Sequence, residues 1–159
     1  MRLIVVAVGH KMPAWVSAGF EEYARRMPRE ARTTLVELKP EPRGAGATAR
    51  DVERALESER RRIVAALPKG CYRVVLDERG ESLSTRGLAG RMGAWRQQGR
   101  DVALIIGGAD GTAAALKEEA DLLWSLSALT LPHQLVRIVV AEQLYRAASL
   151  LAGHPYHRE

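Results

Sequence analysis

The aliphatic stretch Val102-Ala103-Leu104-Ile105-Ile106 runs straight into Gly107-Gly108-Ala109-Asp110-Gly111. Glycines directly after a strand let backbone N–H groups approach a nucleotide or phosphate, and the carboxyl ends of strands are where parallel α/β proteins bind ligands. The run matches neither G-x-G-x-x-G nor G-x-x-x-x-G-K-[ST]. No acid stands at the end of the next strand to hold a ribose hydroxyl, Asp121 falling before it. NAD and ATP are therefore disfavoured, and a tight turn holding nothing is the plain alternative. A second segment, Trp124-Ser125-Leu126-Ser127-Ala128-Leu129-Thr130-Leu131-Pro132-His133, is uncharged, mixes leucines with small hydroxyl residues and ends in a proline suited to opening a helix. Such a stretch could bury an adenine ring while its backbone reads the ring edges; a short buried strand and its connection would look the same.

The histidines are less specific. His154-Pro155-Tyr156-His157 spaces two imidazoles three apart, but Pro155 intervenes, no cysteine is near and the following acid is Glu159, so no metal is expected. Tyr156, His157 and Arg158 suit base stacking and phosphate contact instead. His10 and His133 fall at strand–helix junctions, where capping competes with catalysis. Glu142 and Arg146, four apart, read as an ion pair within the helix or between subunits. No Ser-His-Asp set, paired-carboxylate site or reactive cysteine environment follows from spacing.

These residues need elements to position them. Strand-length runs occur at Leu3–Val8, Thr33–Leu38, Tyr72–Leu76 and Val102–Ile106, with a weaker one at 126–131. Helical spacing falls between them, over 12–27, 49–67 and 84–98, the last N-capped by Ser84. Strand–helix alternation predicts an α/β fold with a mainly parallel sheet covered on both faces. The breaker-rich Pro40-Glu41-Pro42-Arg43-Gly44-Ala45-Gly46 reads as a mobile loop, a candidate lid, before a helix whose Arg60-Arg61-Arg62 face, beside Glu57 and Glu59, reads as solvated in preference to an RNA-contacting ridge. The last helix, 132–152, opens with Pro132 in its first turn, stops at Gly153 and is apolar nearly all round, so it either runs through the core or packs on a partner chain, which makes a homodimer one expectation.

The chain has 159 residues, the size of one domain, expected to span 1–159; 47% are hydrophobic and 27% charged, an ordinary globular balance. A net charge of +5, with 20 Arg among 24 cations, favours a polyanionic partner, although the arginine bias equally suits genomic base composition. One cysteine, Cys71, excludes an internal disulfide and multi-thiolate zinc, which fits a reducing, cytoplasmic setting. Gly9-His10-Lys11 interrupts the opening apolar run before a signal sequence could form, and no stretch approaches the roughly 20 apolar residues of a bilayer span, so no membrane partner is expected.

Several segments together are similar to one family. They are Val6-Ala7-Val8-Gly9-His10-Lys11, Glu21-Glu22-Tyr23-Ala24-Arg25-Arg26, Leu76-Asp77 and Ile105-Ile106-Gly107-Gly108-Ala109-Asp110-Gly111. Ser125-Leu126-Ser127, Leu129-Thr130-Leu131-Pro132-His133, Arg137, Ala141-Glu142-Gln143-Leu144-Tyr145-Arg146-Ala147 and His154-Pro155-Tyr156-His157-Arg158-Glu159 complete the set. From end to end and with matching length, the chain resembles the RlmH family of ribosomal RNA large-subunit methyltransferases, minimal members of the SPOUT superfamily. The resemblance implies a homodimer, a C-terminal trefoil knot that general topology rules would not predict, and S-adenosylmethionine bent into that knot beside the dimer interface. It implies methyl transfer to N3 of a pseudouridine in helix 69 of 23S rRNA on assembled 70S ribosomes, with no metal.

Carried over by position, the cofactor contacts would be Leu76, Gly107, Gly108, Ser127, Ala128, Leu129, Thr130, Leu131 and Pro132. Tyr156, His157 and Arg158 would face the substrate, reaching the partner subunit's site. Ala109-Asp110 stands where other members carry Pro-Glu, a slight change of turn. Because neutral N3 has no free lone pair, its proton must leave; Arg137 or Arg158 would stabilise the developing anion and His157 would accept or relay the proton. A SPOUT enzyme acting on tRNA, a non-catalytic RNA- or ribosome-binding factor and, more remotely, a nucleotide-dependent oxidoreductase are the competing readings.

Overall fold

The computed structural model describes residues 1–156. Its elements are β1 (Leu3–Val8), α1 (Ala14–Ala24), a 3-10 turn (Arg29–Ala31), β2 (Thr33–Leu38), α2 (Ala49–Ala66), β3 (Tyr72–Ser82), α3 (Thr85–Gln98), β4 (Val102–Ile106), α4 (Ala114–Glu118), β5 (Leu122–Ser125) and α5 (His133–Leu151). The strands form one sheet in the order β2-β1-β4-β3-β5, and every pairing between them is parallel.

β1 and β4 are buried along their whole length, which is why they read as unbroken aliphatic runs. Leu3, Val5 and Ala7 face one cluster with Phe20 of α1, Met92 of α3 and Leu144 of α5; Ile4, Val6 and Val8 face a second with Ile63 of α2 and Leu116 of α4. Crossovers running toward the β2 edge use the first face and those running toward the β5 edge use the second. All four therefore share one hand, as parallel crossovers must.

α2 begins with a capping box, Thr48 and Asp51 each bonding the other's backbone N–H, and α3 with the expected Ser84 cap on Gly87 N–H. α5 starts one residue later than expected: Pro132 is its cap residue and His133 its first turn, while Gly153, at φ 68°, terminates it. The expected pairing of Glu142 with Arg146 is present within α5 at 2.6 Å. The expected strand at 126–131 is absent. Ser125 Oγ donates to Ser127 O, and Leu129 N–H donates to Ser127 Oγ, so side chains turn the backbone there; the strand is Leu122–Ser125 instead. The 40–46 loop, expected to be mobile and a candidate lid, is tied to α2 through Arg43, Glu41 and Arg62.

β3 runs six residues beyond the expected Leu76, with an irregularity: Leu76 and Glu81 both pair with Trp124, and 77–80 loop out between them. A Cβ on Gly80 would lie 2.6 Å from the Leu123 carbonyl carbon, so a side chain there would force the two backbones apart. From β5, outside β3, the chain must pass β3 to reach α5, which packs between α1 and α3. The β5–α5 connection thus crosses the β3–α3 connection at the carboxyl edge, and Thr130 Oγ1 bonds Glu78 Oε2 across it at 3.3 Å. Crossed connections at one sheet edge are rare, and this crossing is where a knot would be tied.

Candidate functional site

The crossing leaves a cleft of about 930 Å³ outside the carboxyl ends of β3, β4 and β5. β3 supplies Leu76, Asp77, Glu78 and Arg79; the turn after β4 supplies 106–112; the exit from β5 supplies Trp124, Leu126, Ser127 and 129–132. Lys117 of α4 and His133 and Val136 of α5 complete it. The turn closes tightly: Gly111 N–H donates to Gly108 O at 3.0 Å, and a Cβ on Gly107 would stand 2.5 Å from Gly111 O. Glycine at 107 is a packing requirement.

Leucines, Ile106 and Val136 make part of the cleft apolar, while Asp77, Glu78 and Asp110 face Arg79 and Lys117 across the rest. Asp77, with its side chain 9% exposed, accepts from Lys117 Nζ at 2.8 Å and from Arg79 N–H at 2.8 Å. Burial pushes its carboxyl up, but these donors and the two nearby cations outweigh burial and hold it below the usual carboxylate range. Asp77 is thus ionised and already partnered, an anchor for β3 and α4 rather than a proton acceptor. Burial, and then the charge of Arg137, push the His133 imidazole down, favouring its neutral form; its Nδ1 is buried without a partner among the described residues.

Eight of the nine residues expected at the cofactor line this cleft; Ala128 does not. Arg137 does not itself line the cleft but lies beside His133, 1% exposed, its guanidinium donating to Glu37 Oε2 at 2.7 Å and Gly9 O at 2.9 Å, so it joins β1, β2 and α5. These bonds occupy the cation that was expected to stabilise a substrate anion. Tyr156 is also away from the cleft of its own chain, packed on Tyr145 with ring centroids 4.6 Å apart and bonded to Glu142 Oε1, with Arg146 over its ring. That position is about 14 Å along α5 from Val136. His157 and Arg158 lie outside the described residues. Sequence reasoning missed Glu78, Arg79 and Lys117, and named Asp77 without a role; its place just beyond the end of the β3 core was the available signal, whereas α4, only five residues long, offered none. Among the described residues, no group of His, Cys, Asp and Glu could hold a metal ion, and no helix is long and apolar enough to cross a membrane.

A family model described as "Predicted SPOUT methyltransferase" matches residues 1–157. A protein of Nitrosospira multiformis named ribosomal RNA large subunit methyltransferase H is 58% identical over 158 residues, 99% of each chain. One of the same name from Laribacter hongkongensis is 53% identical over the full length of both. Two solved structures share the fold at low identity. A methylase family protein of Haemophilus influenzae has a TM-score of 0.52 at 15% identity, over 99% of this chain and 70% of that one. One from Neisseria gonorrhoeae has 0.53 at 14%, over 99% and 85%. Sharing the methylase fold, and more than half its residues with relatives along its entire length, the chain belongs to the ribosomal RNA large subunit methyltransferase H family of SPOUT methyltransferases.

Proposed function

We propose that the chain is an S-adenosylmethionine-dependent methyltransferase of large-subunit ribosomal RNA, and that its target is N3 of a pseudouridine in helix 69 of 23S rRNA in assembled 70S ribosomes. The observation that carries this reading is the convergence of Leu76, the Gly107–Gly108 turn and the 126–132 segment on one cleft. The names of the full-length relatives support ribosomal RNA as the substrate class. About 930 Å³ suits a small-molecule ligand. Leu76, Leu126, Leu129 and Leu131 can enclose an adenine ring, and three carboxylates against two cations do not repel a positively charged ligand. When bound, S-adenosylmethionine supplies an electrophilic methyl on its sulfonium.

The protein's own task is to align the target base and favour loss of the N3 proton. His157 accepts or relays that proton and Arg158 stabilises the developing anion, with Tyr156 stacking on RNA. Arg137 acts as a positioning residue, holding the β1 exit against α5. Tyr156 points away from its own cleft, and large apolar side chains stay exposed on two packed helices, Leu135 of α5 at 39% and Trp15 of α1 at 55%. Both observations support a homodimer in which each tail serves the partner's cleft. We take residues 1–159 as one domain that works in the cytoplasm without metal or membrane. A dimer carries about twice the net charge of +5, so binding to ribosomes should weaken steeply with salt.

The test incubates the protein with methyl-labelled S-adenosylmethionine and 70S ribosomes, free 23S rRNA or bulk tRNA from cells lacking the enzyme. Label in a helix 69 pseudouridine of 70S particles alone is expected. Label in tRNA would overturn the substrate, and cofactor binding without label would leave an RNA-binding factor. Normal single-turnover rates in both His157→Ala and Arg158→Ala would overturn the assignment of the tail.

A further inference from the structure

The 40–46 loop reaches the cleft through one side chain. Arg43 Nη1 donates to Glu59 Oε2 at 3.0 Å and Nη2 to Glu59 Oε1 at 3.3 Å, while Nε stands 2.6 Å from Asp110 Oδ2. Glu59 is 4% exposed on α2 and also accepts the Glu41 N–H at 2.8 Å. Arg43 Nη1 donates further to Glu41 O, and Arg62 of α2 holds the Lys39 carbonyl and the Glu41 carboxylate. The loop is thus bound to α2 at several points, and its arginine spans from a buried carboxylate on that helix to a carboxylate in the turn that lines the cleft.

We propose that Arg43 is a positioning residue for the cofactor site: it transmits the rigidity of α2, through Glu59, to Asp110 and orders the 107–112 turn before ligand arrives. The turn needs such support. It contains Gly107, Gly108 and Gly111, the last at φ 77°, and glycine loses more conformational freedom on ordering than any other residue. Ordering left until binding is subtracted from affinity; ordering done in advance is not. The brace depends on a planar fork. Glu59 takes the two terminal nitrogens and fixes the guanidinium plane, while Asp110 Oδ2 meets Nε as a close ion pair with no hydrogen bond along N–H, and a lysine ammonium cannot copy the two-pronged hold on Glu59. Burial of Glu59 keeps water from competing for the fork.

The effect on ligand affinity rests on reading the cleft as an S-adenosylmethionine site; the ordering of the turn does not. Hydrogen exchange of the unliganded protein therefore comes first, in Arg43→Gln, Asp110→Asn and the double variant. Amides of 107–112 are expected to exchange about tenfold faster in each single variant, no faster in the double, with β1 unchanged. Asp110→Asn keeps the Arg43–Glu59 pair, so the test survives if Arg43→Gln unfolds. Unchanged exchange at 107–112, or additive increases, would overturn the proposal. Titration with S-adenosylmethionine is the second arm: each single variant should bind about five- to tenfold more weakly, the double no worse, and Arg43→Lys should not rescue. Additive losses would mean that Asp110 touches the ligand directly, and would also overturn the brace. If the wild type binds no S-adenosylmethionine, the cofactor reading falls and the exchange result alone decides.

Discussion

Gly107→Ala isolates the packing of the glycine turn after β4 from its flexibility. An added Cβ would stand 2.5 Å from the Gly111 carbonyl oxygen, 2.6 Å from its carbon and 2.9 Å from Thr112 Cγ2. That is roughly 1 Å short of ordinary contact against backbone that has no rotamer to change. The turn must open or the sheet end must shift, at a cost of about 2 kcal/mol. For a chain of this size the cost corresponds to a Tm lower by roughly 4–8 °C. Expressed at the cleft, the same energy weakens S-adenosylmethionine binding about thirtyfold. The neighbouring Gly108→Ala is the control, because its Cβ would meet Val8 Cγ1 at 3.4 Å, near ordinary contact. Both substitutions restrict the unfolded chain equally, so their difference reports the folded turn alone. Calorimetry and ligand titration of the two variants should separate them by at least 4 °C and about tenfold in affinity. If Gly107→Ala behaves as Gly108→Ala does, the turn is not packed as described and glycine at 107 is not a packing requirement.

Arg137→Met should cost about 3 kcal/mol, from two hydrogen bonds made by a buried guanidinium. It should lower the urea midpoint at unchanged slope, whereas normal stability with lost turnover would restore a catalytic role. Asp77 is held below its unfolded pKa, so the unfolded chain protonates first as pH falls. Its pair with Lys117 stabilises fully above about pH 4 and is lost below. Asp77→Asn should flatten the acid limb of a stability–pH curve, and an unaltered limb would refute the pairing. His133 is pushed down by burial and then by Arg137, so stability should fall as pH drops below about 6.5, and His133→Gln should remove that dependence. Buried Cys71, its thiol raised first by burial, should resist thiol reagents at pH 8 until urea unfolds the chain; rapid native labelling would contradict its position.

The tie between periodicity and burial explains which elements could be read directly from residues. β1 and β4 are aliphatic throughout because helices cover both faces, and the Ser84 cap follows from local backbone demand. β5 was misplaced by a few residues because both Leu122–Ser125 and the leucines after it are apolar. The serine-directed turn that separates them leaves no mark on periodicity. The resemblance placed Leu76, the 107–108 glycines and the 127–132 segment together, but could not find Lys117 or the loop brace, since those depend on where α4 and the 40–46 loop lie over the sheet end.

Local pattern therefore sufficed for most of the longer elements and for the glycine turn after β4, and resemblance to known members supplied the family. Strand order did not follow from it, because propensity is decided within about four residues, whereas order depends on packing and crossover hand across the whole chain. The order β4-β3-β5 brings residues 76, 107 and 127 to one edge and makes two connections cross there. The same long-range packing seated Arg137 between Glu37 and Gly9, and tied a loop that composition marked as mobile to α2 through Glu59.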